Sequence, residues 1–188
     1  NTSANIINSM YSVLVPSTHA EWIIGYNHTD NKSSFYCIGP VVKKRTYDFG
    51  NYEHYFGVCF DDSYSYYAKG VNADTYPSGM TGEVYEYSPS EGSYEYKLIE
   101  DFKTSCSFEK HIHMFKAFLE NAKQCCYIPD NMITLTDIIK KAYGNILISE
   151  LATSLGYSER HIQRMFNEVL GMSPKDYCKI IRFQNVLY

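Results

Sequence analysis

At 188 residues the chain is long enough for one compact domain and a smaller second one, and 45% hydrophobic against 20% charged residues excludes a disordered protein. No apolar run approaches bilayer length and no signal-like segment opens the chain, so a soluble, cytoplasmic protein with no membrane partner is expected. The net charge of −4 is unevenly spread: residues 132–188 carry seven Lys/Arg against five Asp/Glu, and residues 1–131 carry ten against 16. Such a small basic excess does not by itself identify a nucleic-acid partner.

The first hundred residues are aromatic and β-like. Of 19 tyrosines, 15 precede position 132. Runs of strand length recur at Tyr11–Val15, Trp22–Tyr26, Phe35–Ile38 and Tyr55–Phe60, with turn material at Asn27–Ser33 and Gly50-Asn51. Trp22, Ile24 and Tyr26 share one face, as in a half-buried strand. Short strands with polar turns predict a small barrel or sandwich.

Two patterns compete between 84 and 103. EVYEY and SYEYK around SPSEG suit a hairpin, whereas Tyr94, Leu98, Ile99 and Phe102 make a helical stripe with Ser90 as a candidate cap. The stripe outruns any ordinary strand, so a helix from about Gly92 to Lys103 is expected. Ser107 caps a further helix with Phe108, Ile112, Phe115 and Leu119 on one face, spaced for packing on another helix. Residues 125–131 contain a proline and no periodicity and read as a linker. From Thr134 to Tyr143 a helix should cover the back of the following segment with Ile138, Ile139 and Ala142.

The chemistry-bearing residues of this half are sparse. Six cysteines show no CxxC pair and no metal spacing. Cys37 and Cys59 lie in strand-like runs and read as buried core. Adjacent Cys125 and Cys126 read as two thiols at a helix end, or else as a redox switch or soft-metal pair. His111 and His113, two apart on a helix, point to different sides. His19, His28 and His54 could converge in a barrel, but the close His and carboxylate clustering of a metal-binding barrel is missing, so no metal and no cofactor is expected. Nucleophile elbow, phosphate loop and zinc-protease helix are all missing from the sequence, and no enzymatic activity is expected.

The segment 146–183 is the most informative. Ser149 is a candidate cap for a helix with Leu151, Ala152 and Leu155 inward. Gly156 suits a turn with positive φ, and small Ala152 lets a second helix cross closely. Ser158 caps that second helix, on which Ile162, Met165, Phe166 and Val169 face inward while Arg160, Gln163 and Arg164 face out. Arg pairs bidentately with guanine and Gln with adenine in the major groove, so this is a helix-turn-helix with a face suited to base readout; the plainer alternative is a helical hairpin with a solvated face. A β-branched side chain at Gly156 should be strained and should push the two helices apart. Gly171 ends the second helix, and Ser173-Pro174 opens a third, with Tyr177, Ile180, Ile181 and Val186 apolar and Lys175 placed to reach a phosphate.

The stretches SELATSLGYSERHIQRMF, GMSPKDY and IIRFQ resemble the first helix-turn-helix and the start of the linker helix of AraC/XylS-family transcription regulators. VPSTHAEWIIGYN, FYCIGPVVK and HYFGVCF are similar, more loosely, to the sensory domain that precedes the reader in one branch of that family. The resemblance implies an α+β chain: a small β-barrel or cupin-like sensory and dimerisation domain with following helices (1–124), a linker (125–131) and an all-α DNA-binding unit (132–188). It implies double-stranded DNA as a partner, contacted by Ser158, Arg160, Gln163, Arg164 and Lys175, with a small-molecule effector and a homodimer through the helix after Ser107. Burial of that helix within the monomer is the other expectation for it. Family members carry two such units about 34 Å apart on the DNA; here the second is missing, so 1–188 is expected to be a fragment that binds DNA weakly. A different class of function, a protein-interaction module with a vestigial reader, is the alternative.

Overall fold

Alternation of period two along the strands decides how the N-terminal half is layered. A computed structural model describes residues 11–30, 32–60, 82–122 and 129–187. Strands β1 (Tyr11–Leu14), β2 (Ala20–Tyr26), β3 (Ser33–Ile38), β4 (Arg45–Asp48), β5 (His54–Phe60) and β6 (Val84–Tyr87) precede six helices among the described residues. An antiparallel sheet has the order β5-β2-β3-β6, and β1 pairs with β4 separately. Trp22 stands opposite Cys37 and Val58, and Ile24 opposite Phe35 and Phe56, so one face of the sheet is apolar across three strands.

That face is covered by helices α1 (Tyr94–Lys103) and α2 (Phe108–Ala122), which supply Leu98, Ile99, Phe102, Phe115 and Phe118. Trp22 is the hub, edge-on to Phe35 and Phe60 at 5.2 and 4.9 Å between ring centroids. The opposite face carries Tyr36 and Ile38, and these pack with Leu14, Val41 and Phe49. β3 is buried on both faces and forms a nearly continuous apolar run, whereas β2, expected to be half-buried, alternates buried and partly buried residues over Ala20–Ile23 and is buried from Ile24 to Tyr26. Among the described residues the two sheets stay open and no closed barrel is found, because β1 and β4 pair with each other instead of extending either edge of the larger sheet.

Several local expectations are corrected by this packing. At 84–103 the expected helix forms as α1, and the hairpin does not: Val84–Tyr87 is a strand, but it pairs with β3 and not with SYEYK. The cap of α1 is Ser93, whose hydroxyl accepts from the Tyr96 N–H at 3.1 Å, whereas Ser90 closes the preceding turn through its carbonyl. Tyr94 leaves the apolar stripe and is exposed, and Glu95 is buried. In α2 the buried line is His111, Phe115 and Phe118, and Phe108 is exposed. Phe115 and Phe118 each sit 6.0 Å from Trp22, so this face is used inside the chain. His111 is buried and His113 exposed, as their spacing predicts. Cys37 is buried but Cys59 is exposed. Cys125 and Cys126 lie outside the described residues.

The C-terminal helices α3 (Asp130–Lys141), α4 (Ile148–Leu155), α5 (Glu159–Leu170) and α6 (Pro174–Leu187) share a second core. Helix α3 starts inside the expected linker, with Pro129 as its cap, and buries Met132, Leu135, Thr136 and Ile139. Val42, from the loop after β3, also packs on this core. No helix among the described residues is long and apolar enough to cross a membrane.

Glu95 offers a test of the N-terminal packing. It is 2% exposed, and burial pushes its carboxyl above the ordinary glutamate range, against a smaller opposing effect of hydrogen bonds. The folded chain then holds the proton more tightly than the unfolded chain. Stability should therefore fall as pH rises from about 4.3 through the raised folded value. Glu95→Gln should raise Tm at pH 7 and change it little below pH ~4; thermal melts across that range check the sign.

Candidate nucleic-acid interface

The outward face of α5 is set by what its inward face buries. Ile162, Met165, Phe166, Val169 and Leu170 recur at three- and four-residue spacing and are buried. They meet Leu151 and Ala152 of α4, Leu135 and Ile139 of α3, and Tyr177 and Ile181 of α6. The Phe166 and Tyr177 rings meet edge-on at 5.4 Å. Arg160, Gln163 and Arg164, with Asn167 and Glu168, are left on the exposed side.

The turn between α4 and α5 is fixed by hydrogen bonding and by one backbone conformation. Gly156 has φ 69°, in the left-handed region. Around it the Tyr157 N–H donates to the Ala152 carbonyl at 2.9 Å and the Gly156 N–H to Thr153 at 3.3 Å, the paired bonds of a Schellman ending. Ser158 then caps α5, its hydroxyl accepting from the His161 N–H at 3.2 Å. The cap of α4 is Leu147 and not Ser149. Its backbone N–H donates to the Glu150 carboxylate at 3.2 Å, and Ser149 sits inside the first turn.

Helix α6 opens as the sequence predicts. Ser173 accepts from the Asp176 N–H at 3.1 Å and donates to its carboxylate at 2.8 Å. That bond, and then Lys179 at 3.0 Å, hold the Asp176 carboxyl below its usual range. Lys175 is exposed in the same first turn. Val186 does not join the apolar side: it is 85% exposed, and Phe183 and Leu187 are exposed with it.

All five candidate residues are exposed. Arg160, Gln163, Arg164 and Lys175 project from the surface, and Ser158 accepts the cap bond while its hydroxyl keeps a donor for a second partner. Arg164 donates to His161 Nδ1 at 3.2 Å and lies 3.7 Å from the Glu168 carboxylate. Both are exposed contacts, worth at most about 1 kcal/mol and easily exchanged for another acceptor. His161 and Asn167 were not picked out from the sequence, although Asn167 stands one turn beyond Gln163 on the same face. Of the three histidines that could converge, His28 and His54 meet, with Cys106 beside them. His19 precedes β2 and lies at the far end of that seven-residue strand, roughly 20 Å away.

No family model matches the chain, and no curated protein or solved structure is detectably similar to it.

An added Cβ at Gly156 would meet nothing within 4 Å, so a methyl group there does not force the helices apart. Only the positive φ is costly. Gly156→Ala and Gly156→Val should each destabilise the C-terminal helices by about 1–3 kcal/mol, with Val the worse. Denaturant melts followed by helical circular dichroism measure this, and a loss well above that range for Val would reveal a steric clash instead.

Proposed function

We propose that the chain is a sequence-specific DNA-binding transcription regulator of AraC type, in which α5 enters the major groove. The observation that carries this is the division of α5 into a buried stripe and a solvent face holding Arg160, Gln163 and Arg164. These side chains have the donors and acceptors that read guanine and adenine edges, and they lie within the first two turns of a capped helix. Lys175, in the first turn of α6, supports the reading from the other side, as a phosphate contact that fixes register without reading sequence.

The N-terminal half would supply regulation, through a small ligand or dimerisation. A cleft of about 440 Å³ between β1 and the end of α6 is lined by Leu14, Pro16, His19, Gln184 and Leu187. A ligand there would touch both halves and bias how they sit together. A second reading, a protein-interaction module, is favoured by the exposed Phe183, Val186 and Leu187 on α6, whose spacing makes a short apolar stripe.

Binding to duplexes selected from a randomised pool separates these readings. A single reader offers few phosphate contacts, so affinity should lie nearer 10⁻⁴–10⁻⁶ M than nanomolar. Arg164→Ala should cost ~1–3 kcal/mol on the preferred duplex and relax the choice of one base. Lys175→Ala should weaken binding to every duplex alike and lower the salt slope by ~1. Unchanged base preference in Arg164→Ala would remove α5 from readout, and no selectable duplex at all would favour the interaction module.

A further inference from the structure

The turn after β2, the start of β5 and the loop between α1 and α2 bring three metal-ligating side chains together. His28, His54 and Cys106 each offer one ligand atom, and these atoms all lie within 4.8 Å of one another. Their sequence positions are far apart, so no spacing motif announces them. Their convergence follows from strand register: His54 is the partner of Tyr26 across the β2–β5 ladder, and His28 lies two residues beyond Tyr26.

We propose that His28, His54 and Cys106 form a binding site for a thiophilic divalent ion, Zn²⁺ by preference, with a fourth position left to water. The proposal is independent of the DNA reading, since the cluster lies in the N-terminal half. Tetrahedral zinc bond lengths put a sulfur and a nitrogen ligand about 3.6 Å apart and two nitrogens about 3.3 Å apart. The Cys106 Sγ to His28 Nε2 distance is already 3.6 Å. The remaining gap closes by rotation of side chains, since His28 and Cys106 are exposed and His54 is half-buried.

The backbone beneath each ligand is held independently of any ion. The Glu53 carboxylate accepts from the His28 N–H at 2.7 Å and from the Thr29 hydroxyl, and the Glu53 N–H donates to the Asn27 side chain at 2.8 Å. These bonds tie the His28 turn to the residue before His54. Under both imidazoles lies the buried Tyr26 ring, stacked on His54 at 5.3 Å and edge-on to His28 at 5.5 Å. The Cys106 loop is pinned by buried His111, whose Nε2–H donates to the Ser105 carbonyl at 2.6 Å, with the Phe102 carbonyl at 3.2 Å. Such support orients ligands before the ion arrives. Thiolate plus imidazole suits zinc better than the hard cations, which take oxygen. Binding converts the Cys106 thiol to a metal thiolate and releases its proton, so affinity should rise with pH.

Co²⁺ serves as the spectroscopic probe, added to the full chain kept reduced with a non-thiol reductant. The expected result is one equivalent bound, with a thiolate-to-cobalt charge-transfer band and the visible bands of a tetrahedral ion, both abolished by one equivalent of Zn²⁺. Cys106→Ser should lose the charge-transfer band, and His28→Ala should weaken binding at least tenfold. The double variant Cys125→Ser/Cys126→Ser should keep the wild-type spectrum. Zn²⁺ should also raise Tm of the wild type and leave that of Cys106→Ser unmoved. A charge-transfer band that survives in Cys106→Ser, one that disappears with Cys125 and Cys126, or a wild-type spectrum without tetrahedral cobalt would overturn the assignment.

Discussion

The burial of one stripe of α5 is the constraint on which the direction of its exposed polar face depends. Five of its twelve residues are committed to the core, and a helix repeats every 3.6 residues, so the remaining side chains have only one direction left to point. Rotating α5 to hide Arg160 or Arg164 would expose Ile162 and Phe166, at about 1.5–3 kcal/mol for each large side chain brought out. Contacts among the exposed groups are each worth far less than that. Orientation of the polar face is therefore a consequence of packing. The Schellman turn at Gly156 and the Ser158 cap fix where the helix begins, and so which turn of it leads.

Different rules govern the N-terminal half. There the middle strands are apolar on both faces because helices cover one side and the β1–β4 ribbon the other. Pairing between strands decides which side chains become neighbours, and one register brings Tyr26, His28 and His54 to one end of the sheet. The two halves touch through Val42, which packs on the C-terminal core, and across the cleft beside β1.

Legibility in the sequence followed the range of the interactions. Features of the last forty residues arise within one or two helical turns: glycine at the end of α4 and α5, serine before α5 and α6, apolar residues at three- and four-residue spacing. All are visible in the order of residues, and they place Arg160, Gln163, Arg164 and Lys175 correctly on the surface. Strands β4 and β6 were less visible, because β4 is polar and largely exposed and Val84–Tyr87 borrows its stability from β3. Ser93 displaces Ser90 as a cap, and Leu147 displaces Ser149, because a helix start is set by where its first buried residue must sit. Tyr94 and Val186 fit a helical period yet face solvent, since none of the described residues packs against that angle of the helix. Least legible was the meeting of His28, His54 and Cys106, which depends on three separate segments and on the strand register between two of them.

The central claim is that the exposed side of α5 contacts DNA. Amide chemical-shift mapping of the 188-residue chain, titrated with a short duplex at low salt, tests it most directly. The account predicts that the largest shifts fall in 158–168 and around 173–176, with the sheet residues 20–60 unmoved. Shifts concentrated on another surface, or shifts along α5 that persist unchanged in an Arg160→Ala/Gln163→Ala/Arg164→Ala variant, would contradict it.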